Sequence, residues 1–108
     1  MKKRNVLLLG KGGIDAAEME TQLSTSDFQL YGGGSIDDVR STFSNTKVDH
    51  VIMGGGLPLQ VRLEIVGEIF RLSNTTPVHL KDLDSGPEGY LPFVRSVLAG
   101  LATLPQTK

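Results

Sequence analysis

The sequence predicts a small three-layer α/β/α sandwich, Rossmann-like or flavodoxin-like, in which four βα units over residues 1–108 form one domain with a parallel sheet. Three observations lead there. Short apolar runs alternate four times with segments of helical periodicity. Three of those runs end in clusters of glycine. Successive βα units, in turn, require parallel strands joined by right-handed crossovers. With 39% hydrophobic and 21% charged residues, a chain of 108 can bury a core without disulfides or a structural metal.

Asn5-Val6-Leu7-Leu8-Leu9 is a continuous apolar run stopped by Gly10, as expected of a strand buried on both faces. A helix follows over about 15–26, with Asp15 and Glu18 at capping-box spacing and Ala16, Met19 and Leu23 on one side. Residues 27–31 alternate more strongly and suit an edge strand. Ser35 opens the second helix as N-cap with Asp38 at N3, and Ile36, Val39 and Phe43 are spaced to face the sheet. Residues 48–53 form the third strand. Pro58 suits the first turn of a helix running to about Ser73.

That third helix carries two apolar stripes, Leu59, Leu63, Val66 and Phe70 and then Val61, Ile65, Ile69 and Leu72. Together they cover roughly 200° of the helix, more than packing on a sheet needs. The surplus predicts a second packing partner, most simply another copy: a homodimer through the 59–72 helix that charge at Ile65 or Ile69 would break, with a merely wide core-facing stripe as the alternative. Residues 77–81 form the fourth strand and 82–90 a polar loop. A last helix starts near Pro92, with Phe93, Val94, Val97, Leu98 and Leu101 on its apolar face, and 104–108 fray.

The absence of cysteine removes thiolate nucleophiles, zinc-cysteine sites, iron-sulfur clusters and disulfides. Eleven Lys and Arg against twelve Asp and Glu leave no electrostatic footprint for a phosphate backbone, so nucleic acid is not an expected partner. Met1-Lys2-Lys3-Arg4 precedes an apolar run too short for a signal peptide, so a cytoplasmic location without membrane attachment is expected.

Nine of the 13 glycines fall in three groups: Gly10, Gly12 and Gly13; Gly32, Gly33 and Gly34; Gly54, Gly55 and Gly56. Each group follows a predicted strand, so all three lie on the carboxyl edge, where open α/β sheets bind ligands. Glycine permits positive φ and close approach to backbone N–H groups, and a following helix N-terminus favours an anion. Tight βα turns use the same freedom, and the pattern alone does not separate the two uses. The ligand reading assigns a phosphate-containing small molecule to Gly10, Lys11, Gly12, Gly13, Gly32, Gly33, Ser35, Gly54, Gly55 and Gly56.

Val6-Leu7-Leu8-Leu9-Gly10-Lys11-Gly12-Gly13-Ile14 and Val48-Asp49-His50-Val51-Ile52-Met53-Gly54-Gly55-Gly56 resemble the beginning of a Rossmann-type dinucleotide-binding domain, as in short-chain dehydrogenase-like proteins. The resemblance implies NAD(P) or another nucleotide as ligand. Gly10 and Gly12 match the first two glycines of G-x-G-x-x-G, while Asp15 stands at the third. The acid expected about 20 residues on, for the ribose hydroxyls, is replaced by Gly32-Gly33-Gly34-Ser35. A 2′-phosphate would instead use Ser35 with Arg40 or Lys11. Neither Tyr31 nor Tyr90 has a lysine four places later, so binding without hydride transfer is expected.

The same rhythm resembles a response-regulator receiver, with Leu57-Pro58 after the phospho-acceptor strand. Gly10-Lys11 and Gly54 stand where the receiver's acids belong, so this resemblance implies a dimeric interaction module without phosphorylation. His79, Lys81, Asp82, Asp84 and Ser85 are the densest group of reactive side chains, and alternation puts His79 and Lys81 on one face. One reading is an acid/base site using His79 with Asp82 or Asp84; a satisfied strand histidine and an acidic turn is the favoured account. His50 falls at the far end of its strand and reads as structural or exposed.

Overall fold

A computed structural model describes residues 3–24, 27–84 and 86–103; Ser26, Ser85 and the 104–108 tail lie outside the described residues. The elements are β1 (Arg4–Leu9), α1 (Ala16–Leu23), β2 (Phe28–Gly33), α2 (Ile36–Asn45), β3 (His50–Met53), α3 (Leu59–Leu72), β4 (Val78–Leu80) and α4 (Tyr90–Thr103), with a 3-10 turn over Pro87–Gly89 before α4. All strand pairs are parallel, in the order β2-β1-β3-β4. The α/β sandwich of four βα units is therefore the observed architecture.

β1 explains why its sequence is apolar throughout. It is paired on both sides and covered on both faces, and Val6, Leu7, Leu8 and Leu9 are fully buried. Val6 and Leu8 pack with Met19 of α1 and Val94, Leu98 and Leu101 of α4. Leu7 and Leu9 pack on the other face with Val39 of α2 and Ile65 and Ile69 of α3. The chain runs outward from β1 to β2, then back across to β3 and on to β4. That reversal makes the gap between β1 and β3 the switch point in strand order.

Local chemistry sets the helix ends. Ser24 adopts a left-handed φ of 51° and its N–H donates to the Glu20 carbonyl, which stops α1 before Ser26. At α2, Ser35 Oγ accepts from the Asp38 N–H while the Asp38 carboxylate accepts from the Gly34 and Ser35 N–H groups at 2.8 and 3.2 Å. The Gly34 bond is the main reason the Asp38 carboxyl sits below its ordinary pKa. α4 begins at Tyr90, two residues ahead of Pro92. Proline is tolerated in this first turn because N–H groups there have no intrahelical acceptor.

β2 runs longer than its sequence implies, because Gly32 and Gly33 pair with Leu8 and Leu9 instead of turning. The β1–α1 loop crosses over this strand end. A Cβ at Gly32 would collide with the Ile14 carbonyl, and one at Gly34 would lie 2.6 Å from the Gly13 nitrogen.

α3 settles which of its stripes is surplus. Ile65 and Ile69 are fully buried, so charge at either would disrupt the core and not a dimer, contrary to the expectation from sequence. Leu59, Leu63 and Phe70 are instead 68, 59 and 54% exposed. The rotation of α3 is held by Glu68, whose carboxylate accepts from Arg71 at 2.7 Å and from Arg40 of α2 at 2.9 Å. Arg71 and then Arg40 hold its pKa at about 2. Among the described residues, no helix is long and apolar enough to cross a membrane.

His50 and His79, on neighbouring strands, place their ring centroids 5.7 Å apart. His50 Nδ1 and His79 Nε2 are buried without a hydrogen-bond partner among the described residues. Burial lowers both pKa values from the ordinary 6.5, helped at His50 by the second imidazole and Arg4 and opposed by Asp49. The unfolded chain thus binds more protons than the folded one on the acid side of 6.5, and stability falls as pH drops from there through the folded values. Urea midpoints at pH 7.5 and 5.0 test this: a lower midpoint at pH 5.0 is expected, and a His50→Phe/His79→Phe variant should reduce the difference.

Candidate functional site

The strand reversal opens a cavity of about 520 Å³ between the β1–α1 and β3–α3 loops, within the roughly 300–1,000 Å³ usual for small-molecule sites. Gly10, Lys11 and Ile14 form one wall and Gly54, Gly55 and Gly56 a second. The segment after β4 supplies the third, through Lys81, Leu83, Gly86, Pro87 and Tyr90.

Each glycine has a distinct local reason. Gly12 and Gly13 have φ values of +77° and +91°, and the Gly13 N–H closes a tight turn onto the Gly10 carbonyl at 3.0 Å. Gly55 lets the β3–α3 loop pack on the segment after β4, since a Cβ there would collide with the Asp82 carbonyl. A Cβ at Gly54 would press on the Tyr90 ring at 3.1 Å. Gly56 is different, because its nearest neighbour would be the flexible Lys11 side chain at 3.4 Å.

The N-terminus of α1 is already occupied. The Asp15 carboxylate accepts from the Ala17 and Glu18 N–H groups at 3.0 and 3.3 Å, so a negative charge stands where a dinucleotide's pyrophosphate would sit. Ser35, Gly32 and Gly33 are likewise engaged in the α2 cap and the β2 end. Of the residues singled out from sequence, the cavity brings together Gly10, Lys11, Gly54, Gly55 and Gly56. Gly12, Gly13, Gly32, Gly33 and Ser35 do not line it.

Lys81 is the charged residue the fold buries here, at 3% exposure. Its main chain is tied on both sides, the N–H to the Met53 carbonyl at 2.9 Å and the carbonyl to Arg62 Nη2 at 2.7 Å. Its ammonium donates to the main-chain carbonyl of Asp82 at 3.0 Å. The ion pairs among the described residues use Asp37, Asp49 and Glu68, not Lys81. Alternation along the strand puts Lys81 on one face with His79, and neither its burial nor its place in the cavity wall is apparent from sequence.

Tyr90 is the residue sequence reasoning missed. Its hydroxyl donates to the Leu9 carbonyl at 3.3 Å and lies 3.5 Å from that of Ile52, bridging the ends of β1 and β3. Burial raises its phenol pKa, so it is a fixed donor and not a proton shuttle near neutral pH. No sequence signal marks it, because its role depends on where α4 begins. Ile14, Leu83 and Pro87 add apolar wall. The parallel sheet is compatible with Rossmann-like and flavodoxin-like folds, and no family model, curated protein or solved structure matches the chain.

Proposed function

We propose that this chain binds a phosphate-containing small molecule, a single nucleotide in preference to a dinucleotide such as NAD(P), in the β1/β3 cavity and performs no chemistry on it. The observation that carries the reading is the buried Lys81 ammonium in the wall of a glycine-lined cavity. Burying an ammonium against a main-chain carbonyl is costly, and an anion in the cavity offsets that cost. Lys11 adds charge at the rim, and Ile14, Leu83 and Pro87 offer apolar surface to a base or ring. The Asp15 cap at α1 and the close packing at the β2 end favour a single nucleotide over a dinucleotide.

The test is a thermal-shift screen with nucleoside mono-, di- and triphosphates, dinucleotides, flavins and sugar phosphates. At a hundredfold excess over Kd a ligand adds about 2.7 kcal/mol, a rise on the order of 10 °C in Tm. Lys81→Met should melt a few degrees higher than the parent without ligand, because an apolar side chain replaces a desolvated charge, and should lose the ligand shift. Gly56→Leu should fill the cavity and lose the shift while keeping the fold. A flat screen, or a shift that survives both substitutions, overturns the reading. A second reading, a homodimeric interaction module, draws on a different observation, the exposed face of α3.

A further inference from the structure

We propose that the outer face of α3 and the adjoining edge of β4 form a docking surface for a second copy of this chain, in a two-fold pair whose α3 helices run antiparallel and cross at Gly67. This does not rest on the ligand reading. Leu59, Leu63 and Phe70 stand exposed along one face of a 14-residue helix, and Gly67 continues the same row one turn beyond Leu63. A Cβ at Gly67 would meet nothing within 4 Å. Glycine in a helix interior costs about 1 kcal/mol relative to alanine, and nothing among the described residues requires it at this position. A helix approaching from outside does, since glycine is what allows two backbones to come close.

The sheet continues the same surface. Among the described residues β4 pairs with β3 alone in the sheet, so its other side is a sheet edge. Alternation from Val78, which packs in the α2/α3 core, puts Leu80 on the α3 side, where it is half exposed. The Arg62 bond to the Lys81 carbonyl shows that the flank of α3 abuts the end of β4. The exposed apolar side chains and the strand edge lie side by side, so one partner can cover both at once.

Self-complementarity selects a second copy as the occupant. An antiparallel crossing at Gly67 sets Leu63 of one copy against Phe70 of the other, twice. The same symmetry brings Glu64 of each copy within a turn of Arg71 of the other, so the charges flanking the apolar row attract. A parallel pairing would set Glu64 against Glu64. Antiparallel pairing of the β4 edges would join the two sheets into one of eight strands.

Sedimentation equilibrium of the full chain should give twice the 11.6 kDa monomer mass. Leu63→Glu/Phe70→Glu should sediment as a monomer with an unchanged far-UV circular dichroism spectrum. Because the chain has no cysteine, Glu64→Cys, exposed within a turn of the crossing and leaving Gly67 in place, supplies a unique thiol that a short bis-maleimide should link into a covalent dimer. Gln22→Cys, exposed on α1 across the sheet, should not link. A monomeric parent, a dimer that survives the double glutamate substitution, or linking at Gln22→Cys as readily as at Glu64→Cys would each overturn the proposal.

Discussion

Replacing Gly32 with alanine is expected to lower the thermal midpoint by roughly 10–20 °C, corresponding to about 3 kcal/mol for a domain of this size. Overpacking a core usually costs about 1–3 kcal/mol because side chains move aside. At Gly32 the obstacle is the Ile14 carbonyl, main chain that is pinned between the Gly10–Gly13 turn and the Asp15 cap of α1. Gly56→Ala, whose added methyl would meet only Lys11, is the matched control and should melt within a few degrees of the parent. A mild effect at Gly32 would show that the β1–α1 loop yields. It would also restore the second glycine group as a candidate ligand contact.

Ile65→Asp is expected to abolish folding, seen as loss of cooperative unfolding by circular dichroism. It leaves a cavity among Leu7, Leu9, Val51 and Met53 and places a carboxylate there without a partner, a loss of about 4–5 kcal/mol or more. Domains of this kind are stable by only about 5–15 kcal/mol in total. Leu63→Asp, two residues away and on the exposed face, should fold normally. If both variants fold, or both fail, the rotation assigned to α3 is wrong.

The contrast between these two leucine-family positions shows where sequence reasoning succeeds and stops. Both stripes of α3 have the same chemistry and helical spacing, so hydrophobic pattern reveals the surplus without revealing which stripe it is. The Arg40–Glu68–Arg71 cluster fixes the rotation, and nothing local in the sequence pairs residues 28 positions apart. By contrast β1, the Ser35–Asp38 cap and the parallel architecture were readable because each depends on a short segment: an unbroken apolar run, a three-residue spacing, a repeated βα alternation.

The glycine groups were readable as an edge and ambiguous as a site for the same reason. Positive φ at Gly12 and Gly13, backbone crossing at Gly32 and Gly34, and loop packing at Gly55 all demand the absent Cβ, yet each depends on a different neighbour. Only the strand order tells which groups flank the reversal. It puts the first and third beside the cavity and sends the second to the outer strand.

Tyr90 joins the cavity to the last helix in the chain. α4 is held by Val94, Leu98 and Leu101 on one face of the sheet, and its first residue is bonded across the two central strand ends. Local unfolding that released this helix would take away a wall of the cavity at the same moment. Under the proposed function, occupancy of the cavity and attachment of α4 are therefore linked equilibria: a ligand that needs the Tyr90 wall favours the attached helix, and whatever loosens α4 weakens binding by the same free energy.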